Sequence, residues 1–210
     1  MKIIFAGTPK FAAEHLSILL QGKHEVVAVL TQPDRKSGRG KKISFSAVKE
    51  VALKNNLKVL QPVSLKGSEI QENLSNLEPD IVLVVAYGLL VPKSVLDLPE
   101  LGCINIHASL LPRWRGASPI ESCIAAGDSE SGITMMKMSE GLDEGPILRK
   151  FVCHLDEKET LGTLENKFVG MSSENLLQFL KDYENTKINE VLQPTTGSTY
   201  ANKIDNYFNP

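Results

Sequence analysis

Short, nearly continuous apolar runs alternate along the chain with stretches in which apolar side chains recur at helical spacing. Residues 2–6, 25–30 and 81–86 form three such runs, and the last is rich in β-branched side chains. Runs of this kind are typical of strands buried on both faces of a parallel sheet. Residues 11–20, between the first two runs, have the helical pattern. No hairpin turn joins these two runs, so the pattern predicts a β–α–β unit with a right-handed crossover.

The rest of the chain continues the alternation and predicts a doubly wound α/β fold, with a mostly parallel, Rossmann-like sheet and mixed edge strands. Such sheets bind ligands at the carboxyl ends of their strands. We expect the last two strands to pair antiparallel through the loop between them. The predicted elements are an extended segment at 58–60, strands at 103–107, 132–138 and 145–154, and helices at 47–55, 67–77, 117–126 and 160–183.

One predicted strand carries the best candidates for chemistry. In the stretch GCINIHASLLPRWRG, residues 102–116, Asn105 and His107 are two positions apart. Side chains at i and i+2 of a strand point to the same face, so the amide and the imidazole project together. Such a pair can stabilise an oxyanion or shuttle a proton. A histidine alone in an apolar segment is more often structural, so this interpretation needs further support.

A second motif supplies a carboxylate. Asp143 lies in GLDEGP, residues 141–146, between two glycines and before a proline. Glycines allow tight turns close to another group, and a carboxylate fixed in such a turn is a suitable partner for an imidazole. The sequence therefore predicts that Asp143 lies beside His107.

Composition narrows the class of protein. The chain has 210 residues, 42% hydrophobic content and a net charge of -2, which describe an ordinary globular domain that is not a general binder of nucleic acid. No apolar segment reaches the roughly 20 residues that span a bilayer. Three widely spaced cysteines, Cys103, Cys123 and Cys153, indicate free thiols and no metal site. We therefore expect a cytoplasmic protein without a membrane partner.

A local basic segment leaves two interpretations open. Between Gln32 and Ile43 the chain carries five cationic side chains, and Asp34 is the segment's one acid. A charge run of this kind is often only a solvated surface. It can also neutralise RNA phosphates and become ordered on binding. The five cationic residues are Arg35, Lys36, Arg39, Lys41 and Lys42.

Taken together, six motifs closely resemble the methionyl-tRNA formyltransferases, in order and over almost the whole chain. The resemblance implies transfer of a formyl group from 10-formyltetrahydrofolate to the α-amino group of initiator methionyl-tRNA, without a metal and without a DNA partner. The asparagine, the histidine, SLLP and the aspartate belong to the wider superfamily that uses this folate, whereas the basic segment and PRWRG favour the tRNA enzymes. The motifs are FAGTP (5–9), TQPDR (31–35), GRGKK (38–42), VVAYG (84–88), GCINIHASLLPRWRG (102–116) and GLDEGPIL (141–148).

The resemblance also implies roles for particular residues. Asn105 and protonated His107 would stabilise the negative charge on oxygen, while Asp143 orients the imidazole and helps to relay a proton. The basic segment would contact the acceptor end of the tRNA, with Arg39 the best single candidate. Two stretches would form the walls of the folate pocket: Ala86, Tyr87, Gly88, Leu89 and Leu90, and then Ser109, Leu110, Leu111 and Pro112.

The resemblance predicts a formyltransferase domain over residues 1–189 and a linker-like tail over 190–210. Family members usually carry a C-terminal β-barrel after that linker, and we expect this chain to be without it. Two alternatives stay open. One is a glycinamide ribonucleotide formyltransferase or another folate-dependent amine formyltransferase, for which the basic segment would have little use. The other is a non-catalytic folate- or RNA-binding module.

Overall fold

The computed structural model describes residues 1–37 and 42–204 of the chain. The strands are β1 (Lys2–Gly7), β2 (Glu25–Leu30), β3 (Arg35–Ser37), β4 (Lys42–Ser44), β5 (Val59–Leu60), β6 (Ile81–Val85), β7 (Cys103–His107), β8 (Arg115–Gly116), β9 (Glu130–Lys137), β10 (Ile147–His154) and β11 (Tyr200–Ala201). The helices are α1 (Lys10–Leu19), α2 (Ala47–Lys54), α3 (Ser68–Ser75), α4 (Lys93–Leu96), α5 (Pro119–Ala125) and α6 (Leu161–Glu184).

The main sheet confirms the predicted fold class. Its seven strands follow the order β10-β9-β7-β6-β1-β2-β5. The strands from β7 to β5 pair parallel, whereas β9 pairs antiparallel with both β7 and β10. The antiparallel β9–β10 pair therefore forms one edge. The β9–β10 connection therefore begins beside the start of β7, where Lys137 pairs with Ile104.

Two apolar clusters cover the two faces of the sheet. Along β1, Ile3 and Phe5 belong to one cluster and Ile4 to the other, because successive side chains of a strand point to opposite faces. Helices α1, α2, α5 and α6 contribute to the first cluster, whereas α3 and α4 contribute to the second. Both faces are therefore buried, as the apolar runs predict.

Three short features differ from the predicted elements. A hairpin, β3–β4, occupies the segment that the sequence predicts as a loop, and α4 is a single turn. Strands β8 and β11 pair parallel through two residues each. Such short elements have no periodicity to detect, and the β8–β11 pair joins positions far apart in sequence. The division at residue 189 stays a prediction, although β11 contacts the domain before it.

No helix in the described ranges is long and apolar enough to cross a bilayer.

A buried histidine joins two helices of the first face. His15 on α1 is fully buried, its Nδ1 donates to the Phe11 carbonyl oxygen (2.7 Å), and its Nε2 accepts from the Ser172 hydroxyl on α6 (2.8 Å). Burial lowers the pKa of His15 to about 4, because the charged ring loses its hydration. The neutral ring is the form that this packing stabilises.

This burial predicts a loss of stability in acid. In the unfolded chain His15 binds a proton near pH 6.5, whereas in the folded protein its pKa is about 4. The free energy of unfolding should therefore fall between pH 6.5 and 4, with about 3 kcal/mol contributed by this residue. We expect His15→Gln to show a shallower pH dependence in denaturant titrations. His154→Gln, which removes an exposed histidine, is the control. Equal slopes for wild type and His15→Gln would contradict the assignment.

Candidate active site

Asn105 and His107 project from the same face of β7 near its carboxyl end. Ile104 precedes Asn105, and Ile106 lies between Asn105 and His107. Both isoleucine side chains pack into the first apolar cluster on the opposite face. Asn105 is half-buried, and His107 is only 5% exposed. The alternation of the strand therefore places an amide and an imidazole together on the second face, where the apolar cluster ends.

The Asp143 carboxylate contacts both side chains, and its place beside His107 is the one that the sequence predicts. It is on the β9–β10 connection, where its backbone has a left-handed conformation with φ of 50°. Its Oδ1 accepts from the Asn105 amide nitrogen Nδ2 (3.3 Å), and its Oδ2 accepts from the Gly116 N–H (2.8 Å). His107 Nδ1 is 3.7 Å from Oδ2, which is an ion-pair distance and too long for a hydrogen bond.

The other ring nitrogen of His107 is held by the backbone. Nε2 lies 2.8 Å from the carbonyl oxygen of Trp114, a residue with φ of 61°. Because a carbonyl oxygen can only accept, Nε2 carries a hydrogen. Nδ1 faces the Asp143 carboxylate at an ion-pair distance. The ring is thus fixed in orientation, and Nδ1 is the nitrogen that faces Asp143.

The loop that carries Trp114 is fixed by hydrogen bonds to β9. The Thr134 hydroxyl donates to the Ser109 carbonyl oxygen (2.6 Å) and accepts from the Leu111 N–H (3.1 Å). The Ser109 hydroxyl donates to the Arg113 carbonyl oxygen (2.6 Å), which closes the turn. These bonds hold residues 109–113 against the sheet and fix the position of the acceptor for His107.

The side chain of Trp114 is anchored on the opposite side of this loop. Its Nε1 donates to Asp128 Oδ2 (2.7 Å), and the Arg113 guanidinium makes two hydrogen bonds to the same carboxylate (2.6 and 2.9 Å). Hydrogen bonding from Arg113 lowers the pKa of Asp128. A surface cavity of about 270 Å³ lies here, and none of Asn105, His107 and Asp143 lines it. The cavity and the catalytic candidates are therefore separate.

The first predicted folate wall follows β6 directly. Val84 pairs with Asn105, so this loop begins next to the site. The Tyr87 side chain is 2% exposed and packs into the second cluster, where burial raises its pKa to about 12. Its carbonyl oxygen accepts from the Thr8 hydroxyl (2.9 Å) and from Gln32 Nε2 (3.2 Å). The residues with accessible surface on this wall are Ala86, Gly88, Leu89 and Leu90, the last being 74% exposed.

The second predicted folate wall is the loop already described. Ser109 and Leu111 are fully buried, whereas Leu110 and Pro112 are half-buried. Side-chain contact with a ligand is thus open to Leu110 and Pro112, and the other two can contribute through the backbone. The folate assignment stays a prediction for both walls.

The basic segment is described only in part. Arg35 is exposed and donates to the Gln32 side-chain oxygen (2.6 Å). Lys36 and Lys42 are on β3 and β4, whose side chains are not described, and Arg39 and Lys41 lie outside the described residues. Asp34, the acid of the segment, pairs with Lys49 (2.6 Å), whose hydrogen bond lowers the pKa of Asp34. The tRNA assignment of these five residues also stays a prediction.

Sequence reasoning missed the groups that hold the three side chains in place. Trp114 contributes a carbonyl oxygen and Gly116 an N–H, and main-chain groups leave no signature in the choice of residue. Gln193 was also missed, since it lies in the segment predicted as a linker. The left-handed backbone of Asp143 was partly foreseeable from its neighbouring glycines.

Within residues 1–37 and 42–204, no group of three or more histidine, cysteine, aspartate and glutamate side chains is placed to hold a metal ion.

Comparison with known proteins identifies the family. Residues 1–180 match the family described as Formyl transferase, and the chain belongs to this family. It is 51% identical over 204 residues to a methionyl-tRNA formyltransferase of Idiomarina loihiensis, covering 97% of this chain and 65% of the relative. It is 49% identical over 205 residues to the methionyl-tRNA formyltransferase of Pseudomonas fluorescens strain Pf0-1, covering 98% of this chain and 64% of the relative. The chain thus spans about two thirds of the length of these relatives.

Solved structures agree on the fold. A phosphoribosylglycinamide formyltransferase from Anaplasma phagocytophilum superposes with a TM-score of 0.75 at 17% identity, covering 97% of this chain and 99% of its own. An N-formyltransferase from Helicobacter canadensis, in complex with folinic acid and dTDP-3-aminofucose, superposes with a TM-score of 0.73 at 19% identity. The match covers 97% of this chain and 71% of that structure's chain. At these identities the likeness shows the shared Rossmann-like fold.

Gly116 gives a direct test of the loop geometry. Its φ is 111°, and an added Cβ would lie 2.7 Å from the Ala201 carbonyl oxygen on β11. We expect Gly116→Ala to lower the free energy of unfolding by about 3 kcal/mol, because backbone strain and a steric clash combine. Gly127→Ala is the matched control, because it also has positive φ but open space around it. Its expected loss is about 1 kcal/mol. Equal losses in denaturant titrations would contradict the described packing.

Proposed function

We propose that this chain transfers a formyl group from 10-formyltetrahydrofolate to the α-amino group of methionine on initiator tRNA. The observation that carries this proposal is the cluster of Asn105, His107 and Asp143 at the end of β7. The cluster occurs in a chain about half identical to proteins named methionyl-tRNA formyltransferase. The free thiols of Cys103, Cys123 and Cys153 are consistent with action in the cytoplasm.

The chemistry needs two kinds of protein group. Attack of the amine on the formyl carbon places negative charge on the formyl oxygen and leaves a proton on the amine nitrogen to be removed. Collapse of this intermediate restores the carbonyl and breaks the bond to folate N10, which takes up the proton. A site for this reaction therefore requires hydrogen-bond donors for the oxygen and an acceptor for the proton. Asn105 and His107 are the donors, and the Asp143 carboxylate is the acceptor.

The hydrogen bonds limit where the reacting groups can lie. His107 Nε2 is already bonded to a carbonyl oxygen, so the Nδ1 edge is the part of the ring that can serve the reaction. The Asn105 amide has a second N–H besides the one directed at Asp143. The formyl oxygen must therefore lie close to this amide and to the Nδ1 edge. Both positions are within reach of the Asp143 carboxylate.

The proposed folate pocket fits a flat ring with polar edges. The loop after β6 offers half-buried Leu89 and exposed Leu90 beside a backbone that turns through positive φ at Ala86 and Gly88. Apolar surface with nearby backbone donors and acceptors is suited to a pterin. Folinic acid in the complex of the Helicobacter canadensis enzyme supports a folate ligand for this fold.

The acceptor assignment rests on relatives and on charge. The chain has a net charge of -2, so contact with RNA must come from a local patch. The segment around β3–β4 supplies that patch, because its one acid, Asp34, is already paired with Lys49. Binding of a small phosphate ester such as glycinamide ribonucleotide would not need this basic patch.

An acceptor assay tests the proposal. The protein is incubated with labelled formyl donor and either initiator methionyl-tRNA or glycinamide ribonucleotide. We expect label on the tRNA, at a rate well above that on the ribonucleotide. Preference for the ribonucleotide would favour the sister enzyme, and absence of turnover with both acceptors would favour a non-catalytic binding module.

The donor roles predict large losses of rate. Asn105→Ala should lower kcat by about 10²–10³, as for one lost oxyanion donor, and His107→Ala should abolish most turnover. Folate affinity, measured by fluorescence titration, should change little, because neither side chain lies in the predicted folate walls. His154→Ala, an exposed histidine on β10, is the control and should keep wild-type activity. Near wild-type kcat for either site variant at saturating donor would remove that residue from the mechanism.

The basic segment predicts a salt effect on tRNA binding. Replacing Arg39, Lys41 and Lys42 together by alanine should weaken binding and flatten its salt dependence, by roughly one unit of slope for each lost phosphate contact. Donor binding should be unchanged.

A triple variant of exposed lysines elsewhere, Lys54, Lys66 and Lys158, removes the same charge and serves as the control. Both variants are titrated with tRNA at several salt concentrations. Indistinguishable affinities and slopes for the two variants would mean that the basic segment is only a solvated surface.

A further inference from the structure

Gln193 makes an unusual set of contacts for a residue outside the range that matches the family. That match ends at residue 180, and Gln193 follows α6 in a mostly exposed stretch. Its Nε2 donates to the carbonyl oxygens of Asp143 (2.7 Å) and Gly145 (2.9 Å). Its Oε1 accepts from Arg115 Nε (3.2 Å) and Nη2 (2.7 Å).

These four contacts use the full hydrogen-bonding capacity of the amide. A glutamine side chain has two N–H donors and an oxygen with two lone pairs. Here both donors bond to one loop and the oxygen bonds to the other. A side chain that only filled space on the surface would leave part of this capacity to water. The geometry therefore indicates a specific connection between the two loops.

The two loops are those on either side of the Asp143 carboxylate. The backbone carbonyl oxygen of Asp143 accepts from the Gln193 amide, and the Asp143 backbone at this point is left-handed. Arg115 lies between Trp114, whose carbonyl oxygen accepts from His107, and Gly116, whose N–H donates to Asp143. Gln193 thus fixes the backbone that carries the carboxylate relative to the strand that orients it.

Residues on both sides of Gln193 hold its segment against the domain. Val191 exchanges two backbone hydrogen bonds with Ile147 at the start of β10 (2.7 and 2.9 Å). Thr199 accepts from the Trp114 N–H through its hydroxyl oxygen and from the Arg115 N–H through its carbonyl oxygen (both 2.9 Å). The segment 191–201 is therefore anchored on both sides of Gln193.

We propose that Gln193 is a positioning residue for Asp143, through which the segment 191–201 completes the active site. This inference rests on the function proposed above for Asn105, His107 and Asp143. Without the Gln193 amide, the carbonyl oxygens of Asp143 and Gly145 each lose a donor, and the Asp143 carboxylate shifts relative to His107 Nδ1. Small displacements of this kind lower the rate by factors of up to about 10².

Two substitutions separate positioning from simple attachment. Gln193→Glu keeps the oxygen that accepts from Arg115 but removes the N–H groups that bond to Asp143 and Gly145. Gln193→Ala removes both connections. The matched control is Gln178→Ala, because this exposed glutamine on α6 also loses a side-chain hydrogen bond, to Asp182, which has no part in the proposed site.

The test measures kcat, the KM of both substrates, thermal stability and the imidazole ¹⁵N signals of His107. For Gln193→Glu we expect kcat at least 10-fold lower, KM values within about twofold, and shifted His107 signals. Gln193→Ala should show at least the same loss of kcat, and Gln178→Ala should match wild type. Unchanged kcat and unchanged His107 signals in Gln193→Glu would overturn the inference. So would a loss that appears only as a lower melting temperature.

The spectroscopic measurement distinguishes the two proposals. If the wild-type protein does not formylate methionyl-tRNA, the proposed function fails. The His107 signals still report whether Gln193 controls the contact between Asp143 and His107. Unshifted signals in both Gln193 variants would then exclude positioning, whatever the acceptor.

Discussion

The hydrogen bond from the Gly116 N–H to the Asp143 carboxylate is the contact on which the site depends. It joins β8 to the β9–β10 connection, across 27 residues of sequence, at 2.8 Å. The other contacts of the Asp143 carboxylate described above are a long hydrogen bond from Asn105 and an ion-pair contact to His107. The bond holds the carboxylate at the distance from the imidazole that the proposed chemistry needs.

The sheet order brings a carboxylate from a second element to β7. Because β9 lies antiparallel beside β7, the end of β9 lies beside the start of β7, where Lys137 pairs with Ile104. The β9–β10 connection begins there and places Asp143 against Asn105 and His107, farther along β7. The antiparallel edge thus contributes to the site.

The sequence predicted the parts of the structure that follow from side-chain pattern. The apolar runs predict β1, β2, β6 and β7, and the two-residue spacing of Asn105 and His107 predicts their common face. Main-chain contributions from Trp114 and Gly116 could not be predicted, because they depend on backbone conformation rather than residue type. The role of Gln193 was not predicted, because its partners Arg115 and Asp143 lie 78 and 50 residues away in sequence. No local pattern indicates such contacts. The β3–β4 hairpin was missed because three-residue strands are too short for periodicity.

A double-mutant cycle on His107 and Asp143 tests most directly whether the two act as one unit. The kcat/KM for formyl transfer is measured for wild type, His107→Ala, Asp143→Ala and the double variant. Residues that work as a unit lose no more together than the worse single variant loses alone. We therefore predict that the double variant matches the less active single variant. Losses that multiply, as for independent sites, would contradict this account of the active site.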